Sequence, residues 1–110
     1  KFVNQMVATA YEVTGDHLFN NARGNSQEIR ARQISMYLMH ICLSFSLTEI
    51  ARIYARDRTT IGHACRVIED MRDTPVFDDR IIEMEETIQT VIALATNYPI
   101  KHVGDKNARN

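Results

Sequence analysis

Apolar residues recur every three or four positions along most of this chain, which is the spacing of one face of an α-helix. Glycine and proline, which interrupt regular structure, number only four and two among the 110 residues. The two features together predict an all-α domain. The first helix should cover residues 2–13, followed by a short helical turn over 16–19 and a loop over 20–25.

Capping patterns indicate where the next two helices begin. A long helix should start at Asn25 or Ser26, because an acid three residues further on can reach back to the first turn. The run SLTE, from Ser46 to Glu49, has the spacing of a complete capping box. It predicts a short helix that ends near Ala55.

Residues 47–64 have the length and pattern of a helix-turn-helix, with a turn over 56–58 and a second helix over 59–72. Ala51 is the small residue that lets two steeply crossed helices approach each other. The residues expected on the shared inner face are Ile50, Tyr54, Ile61, Ala64 and, one turn later, Ile68. Those expected on the outer face of the second helix are Thr59, Thr60, His63, Arg66 and Asp70.

The segment after residue 72 has a different character. Thr74-Pro75 interrupts the apolar pattern, so a last amphipathic helix should be capped by Asp78 or Asp79 and stopped by Pro99. Three roles are open for this helix: packing on the core, forming a homodimer through 78–98, or restraining a basic surface. We therefore divide the chain into a helix-turn-helix domain, an appended acidic helix and a polar tail, over 1–74, 75–99 and 100–110.

The net charge of −1 hides an uneven distribution of charged residues. Residues 23–72 contain eight arginines and five acids, whereas 73–90 contain six acids and one arginine. A basic middle segment is suited to a polyanion even when the whole chain is nearly neutral. Nucleic acid therefore stays open as a partner.

A helix with polar side chains at its N-terminal end suits the DNA major groove, which admits one α-helix. Arg58 can donate two hydrogen bonds to guanine, and Asp57 can accept one from a cytosine amino group or simply cap the helix. His63 and Arg66 lie a turn further on, where phosphates are nearer. Gly62 would let the backbone approach a groove wall. These residues alone equally allow a solvated helix in a protein-interaction module.

A resemblance to a known family favours DNA. The run Ala55–Ile68, ARDRTTIGHACRVI, resembles the signature GGRDHTTVLHACRKI of the C-terminal DNA-binding domain of DnaA, the bacterial replication initiator. Upstream, SLTEIARIYA is similar to the family's SLPEIGDAFG, and RARQISMYL to RPRQMAMAL. The segment VATAYEVTGDHLF is similar to the family's opening helix and short turn. The resemblance covers residues 3–72.

The resemblance implies a helix-turn-helix domain that binds double-stranded DNA sequence-specifically, in chromosomal replication initiation or its regulation. Arg23 would then enter the minor groove. The side chains that would contact bases are Asp57, Arg58, Thr59 and Thr60, and those that would contact phosphates are Arg32, Arg56 and His63, with Arg66 beside them. The alternative is a protein–protein interaction module that keeps the fold but binds DNA weakly.

Several residues depart from the family pattern. Arg58 replaces a histidine and favours guanine, so the preferred sequence should differ from the usual initiator site. Tyr54 and Ala55 replace paired glycines, and His40 replaces a lysine. The family is also expected to end soon after the signature helix, where this chain continues.

Other activities find no support in the sequence. No glycine-rich loop precedes a Lys-Ser/Thr pair, so neither an enzyme nor a bound nucleotide is expected. His40 with Cys42, and His63 with Cys65, point in nearly opposite directions on a helix, so we expect no metal and no cofactor. Two cysteines and no secretory signal favour a reduced, cytoplasmic protein associated with the nucleoid.

Overall fold

A computed structural model describes residues 2–10 and 26–96, the side chain of Ala8 excepted, and these form five helices and no strand. The all-α prediction is confirmed. The expected turn over 16–19, the loop with Arg23, the stop at Pro99 and the tail over 100–110 lie outside the described residues. In order, the helices are α1 (Phe2–Ala10), α2 (Ser26–Leu43), α3 (Leu47–Tyr54), α4 (Arg58–Met71) and α5 (Pro75–Thr96).

The long helix α2 is the centre of the molecule. It contacts each of the other four helices, and α4 covers more of it than any other. Eight of the nine positions of α2 from 31 to 39 are buried, the exception being Gln33. The core is completed by side chains from every other helix: Val3, Val7, Ile50, Ala51, Tyr54, Ile61, Ala64, Ile68, Ile81, Met84 and Ile88.

The capping box predicted at Ser46 is present and fixes the start of α3. The hydroxyl oxygen of Ser46 accepts a hydrogen bond from the Glu49 amide at 3.0 Å, and the Glu49 carboxylate accepts one from the Ser46 amide at 2.8 Å. Two donors that would otherwise be unpaired are thereby satisfied at the helix end.

The turn between α3 and α4 depends on one residue in the left-handed region. Ala55 has φ 55° and ψ 50°, and the Arg56 amide donates to the carbonyl of Ala51 at 2.9 Å. This six-to-one bond is that of a Schellman motif, which usually has glycine at the left-handed position. Arg58 then begins α4, with Asp57 as the N-cap residue. Both ends of α4 lie one residue before the predicted 59–72.

The last helix begins earlier than predicted. It starts at Pro75, and the Asp78 amide already donates to the Thr74 carbonyl at 2.9 Å, so capping by Asp78 or Asp79 is wrong. Proline suits the first helical position because the amide it lacks would have no partner there. The helix packs on α2 and contributes Ile81, Met84 and Ile88 to the core. No helix within the described part of the chain is long and apolar enough to cross a membrane.

Two buried tyrosines connect helices that are distant in sequence. The Tyr54 hydroxyl donates to Asn4 Oδ1 at 2.6 Å and joins α3 to α1, whereas the Tyr37 hydroxyl donates to Glu69 Oε1 at 2.8 Å and joins α2 to α4. Burial is the main cause that raises the pKa of each tyrosine to about 12. Ionising either one would break its connection.

We expect Ala55→Gly to stabilise the protein. A left-handed conformation costs an L-residue about 1–2 kcal/mol, a cost that glycine avoids. The greater freedom of glycine in the unfolded chain offsets part of this advantage, so the free energy of unfolding should rise by about 0.5–1 kcal/mol. Urea unfolding measures the difference. Ala51→Gly is the matched control, because Ala51 is helical and buried. It should destabilise by about 1 kcal/mol or more. Equal signs for the two variants would contradict the assignment of the turn.

We also expect stability to fall at high pH. The tyrosine pKa is about 10 in the unfolded chain, and about 12 in the fold for Tyr37 and Tyr54. Their contribution is therefore fully present below pH 10 and is lost as the pH rises through 12. Each should add a slope of about −1.4 kcal/mol per pH unit in this window. Urea titrations from pH 8 to 12 should show a shallower decline in Tyr37→Phe or Tyr54→Phe than in the wild type; identical slopes would contradict the two buried ionisations.

Candidate nucleic-acid interface

The helix α4 separates its apolar and polar residues onto opposite sides. Ile61, Ala64 and Ile68 are buried against the rest of the fold, as the spacing predicted. The polar residues predicted for the outer face are all exposed: Thr59, Thr60, His63, Arg66 and Asp70. Arg58, at the start of the helix, is exposed as well. The structure thus places one continuous polar surface along the outside of α4.

The N-terminal end of α4 leaves its capping side chain unused. Asp57 occupies the N-cap position, yet its carboxylate makes no capping hydrogen bond and is exposed. The Asp57 carbonyl accepts from the amides of Thr60 and Ile61 at 3.0 and 3.2 Å, so the backbone alone begins the helix. The carboxylate and the adjacent Arg58 side chain are both exposed to solvent. The first amides of a helix also point outward and favour an anion.

An open cleft lies between α3 and the start of α4. It is lined from α3 by Thr48, Ala51 and Arg52, and from the turn and α4 by Ala55, Arg56, Asp57 and Thr60. Arg56 is held in place because its guanidinium donates to the Tyr54 carbonyl at 2.8 Å. The cleft therefore brings two arginines and two threonines beside the N-terminal end of α4.

Arg32 differs from the other predicted contact residues because only 7% of it is exposed. Burial lowers its pKa, and the neighbouring positive charge of Arg56 lowers it further, whereas Glu28 acts in the opposite direction. Two like charges held close together attract an anion more strongly than either does alone. Contact between Arg32 and a phosphate stays a prediction, as does the role of Arg23, which lies outside the described residues.

Sequence reasoning missed Arg52 and Thr48. Both are exposed on the side of α3 that faces the cleft. The signal was available, since Ile50, Ala51 and Tyr54 were already placed on the inner face and residues 48 and 52 are therefore on the other side. Arg52 adds a positive charge beside Arg56.

Metal ligation finds no geometric support in the described ranges, where no group of three His, Cys, Asp or Glu residues converges. The Nδ1 atom of His40 lies 2.8 Å from the Phe45 carbonyl oxygen, within the turn after α2. Cys42 and Cys65 are half-buried free thiols. Burial raises the pKa of both, to about 11 for Cys42. These thiols are therefore protonated at neutral pH.

Comparison with known proteins identifies a family. The family model described as "Bacterial dnaA protein helix-turn-helix" matches residues 1–68. The chain is 37% identical over 84 residues to the chromosomal replication initiator protein DnaA of Bartonella quintana, covering 76% of this chain and 16% of that protein. It is 39% identical over 70 residues to DnaA of Mesorhizobium japonicum, covering 63% of this chain and 14% of that protein. It is 36% identical over 80 residues to DnaA of Rhodopseudomonas palustris, covering 70% of this chain and 17% of that protein.

The chain thus spans less than a fifth of the length of these relatives. The Bartonella match is longer than residues 1–74, so the similarity extends into α5 or beyond it rather than ending soon after the signature helix as expected. The family model alone covers more than half of the chain, including α1 to α3 and most of α4. The chain belongs to the family of bacterial DnaA helix-turn-helix domains.

Proposed function

We propose that the chain binds double-stranded DNA sequence-specifically by placing the N-terminal half of α4 in the major groove. The role that the relatives' printed name suggests is chromosomal replication initiation or its regulation. Such a role would place the chain in the cytoplasm at the nucleoid. No cofactor or nucleotide is needed for this binding.

The observation that carries the proposal is the division of α4 into two sides. Ile61, Ala64 and Ile68 hold one side in the core. The other side therefore has no freedom to rotate inward, and its polar groups stay in solvent. A major groove admits a single helix in this arrangement, with N-terminal side chains directed at base edges.

Each exposed group has a chemical role in this proposal. Arg58 donates to O6 and N7 of a guanine, and Asp57 accepts from a cytosine amino group. Thr59 and Thr60 contact thymine methyls through their own methyls, or donate their hydroxyls to acceptors on the bases. The residues proposed to contact phosphates are Arg32, Arg56, His63 and Arg66, with Arg23 in the minor groove. Since Arg58 stands where the family signature has histidine, the preferred site should contain a G·C pair beneath the start of α4.

A second candidate function is protein–protein interaction, either with another protein or as a homodimer through residues 78–98. Val76 and Leu94, near the two ends of α5, are 80% and 75% exposed. Exposed apolar side chains of this kind often mark contact surfaces. Light scattering after gel filtration tests the homodimer, and titration with random duplex DNA at low salt tests whether DNA affinity has been lost.

We expect Arg58→Ala and Thr60→Ala each to weaken binding to the preferred duplex by about 1–3 kcal/mol and to relax its sequence preference. Selection from random duplexes first supplies the preferred site, and fluorescence anisotropy then measures each variant on that site and on random DNA. Arg32→Ala should instead weaken binding to both duplexes about equally.

Arg80→Ala and Thr87→Ala are matched controls, because both residues are exposed on α5 and line, with Met6 and Ala10 of α1, a pocket that shares no residue with the cleft at the start of α4. They should leave the affinity for the preferred duplex unchanged. The groove assignment is overturned if Arg58→Ala and Thr60→Ala behave like these controls.

Gly62 supplies a separate test of α4. A Cβ atom added at this half-buried position would have its nearest contact at Leu47 Cδ1 of α3, at an ordinary distance of 3.8 Å. The space that glycine leaves is therefore directed toward α3. A glycine within a helix costs about 1 kcal/mol relative to alanine.

We expect Gly62→Ala to raise the free energy of unfolding by up to about 1 kcal/mol. Its affinity for the preferred duplex should stay unchanged, because the new methyl contacts Leu47. Thermal unfolding and anisotropy measure the two effects. A gain in stability accompanied by a large loss of affinity would show that the backbone at Gly62 contacts the groove wall.

A further inference from the structure

A network of hydrogen bonds and ion pairs connects the C-terminal end of α4 to its neighbours, and none of its residues is among the proposed DNA contacts. Arg72, the C-cap residue directly after α4, is at its centre, and its side chain is 19% exposed. Its Nε donates to Asp78 Oδ1 at 2.5 Å, and its two terminal nitrogens donate to the oxygens of Glu85 at 2.9 and 3.4 Å. One guanidinium therefore joins α4 to two turns of α5.

The same guanidinium also reaches α2. A terminal nitrogen of Arg72 donates to the Tyr37 hydroxyl at 3.0 Å, and that hydroxyl donates onward to Glu69 of α4 at 2.8 Å. Planar guanidinium groups make directional, paired bonds to carboxylates, which fixes geometry as well as adding energy. Arg72 therefore holds α4 against two neighbouring helices at once.

The charges make this connection sensitive to the loss of Arg72. Glu69, Asp78 and Glu85 all lie one or two hydrogen bonds from its guanidinium. Burial alone would lower the pKa of Arg72, but the hydrogen bonds to Glu85 and Asp78 outweigh it and hold the pKa above its usual value. Without Arg72, three acids from α4 and α5 would be left together, and their repulsion would push the two helices apart.

We propose that Arg72 is a positioning residue for DNA recognition, which sets the orientation in which α4 presents Arg58, Thr59 and Thr60. The inference rests on the proposed function. The helix α4 has 14 residues and is therefore roughly 21 Å long. A small tilt at its C-terminal end displaces the opposite end, where hydrogen bonds to base edges tolerate only a few tenths of an ångström. Contacts from long arginines to phosphates tolerate such a shift, because they depend on charge more than on direction.

Arg72→Gln tests the proposal, because glutamine keeps much of the length of the side chain but removes its charge and the paired N–H donors of the guanidinium group. We expect the ratio of affinities for the preferred and random duplexes to fall at least about fivefold, as for the loss of one base contact. The salt dependence of random-DNA binding should not change, because Arg72 contacts no phosphate. Arg72→Lys should give an affinity ratio between those of the wild type and Arg72→Gln. Adding Glu85→Gln to Arg72→Gln should restore part of the lost affinity ratio, because it removes one of the repelling negative charges.

Ile88→Val and Ile88→Ala are the controls for stability, because Ile88 is a core residue of α5 outside the network. Together they should bracket the loss of melting temperature in Arg72→Gln. All affinities are measured at a temperature where circular dichroism shows every variant folded. Both controls should keep the wild-type affinity ratio.

Two results would overturn the inference. One is that Arg72→Gln keeps the wild-type ratio of affinities for the preferred and random duplexes. The other is that this affinity ratio falls in proportion to the melting temperature across all variants, because Arg72 would then act only by stabilising the fold. A wild-type chain with equal affinity for both duplexes would instead overturn the proposed function, and the inference with it. The affinity ratio of the wild type thus distinguishes the two failures.

Discussion

Burial of the inner face of α4 is the constraint on which the interface depends. Ile61, Ala64 and Ile68 pack against α2, which is itself buried through most of its middle, from residue 31 to residue 39. Removing these side chains from water stabilises the packing of α4 against the fold. Because a helix turns 100° per residue, fixing these three positions also fixes the direction of every side chain between them. The outward position of Thr60 and His63 is thus a consequence of the core.

The positions of the charged residues in this fold matter more for its surface potential than the net charge of the chain does. Two of the five acids of α5, Asp78 and Glu85, are bonded to Arg72; Asp79 and Glu83 are exposed, and Glu86 is half-buried. The arginines beside the cleft lie outside α5, Arg52 on α3 and Arg56 in the turn between α3 and α4. Arg72 joins the basic segment of the sequence to the acidic one, whereas the arginines beside the cleft lie outside α5, so a net charge of −1 is compatible with a locally positive surface.

Much of the fold could be predicted because its determinants are local. The capping box at Ser46 and the two faces of α4 depend on residues within four positions of one another, where helix geometry is fixed. The prediction of where α5 starts is wrong because Pro75 does not interrupt the helix but occupies its first position, which suits proline. The burial of Arg32 could not be predicted, since it depends on how α2 packs. The Arg72 network was missed for a similar reason: Tyr37 and Arg72 are 35 residues apart and meet only in the tertiary structure.

The unused carboxylate of Asp57 has a kinetic consequence. Asp57 and Arg58 are adjacent exposed residues of opposite charge at the N-terminal tip of α4, so their two side chains together add no net charge there. Under the proposed function, transient contact with unrelated duplex would be made by the flanking arginines, while the tip would settle only where complementary base edges are offered. Under that function, such a helix would dissociate quickly from wrong sites and so shorten the search along a chromosome.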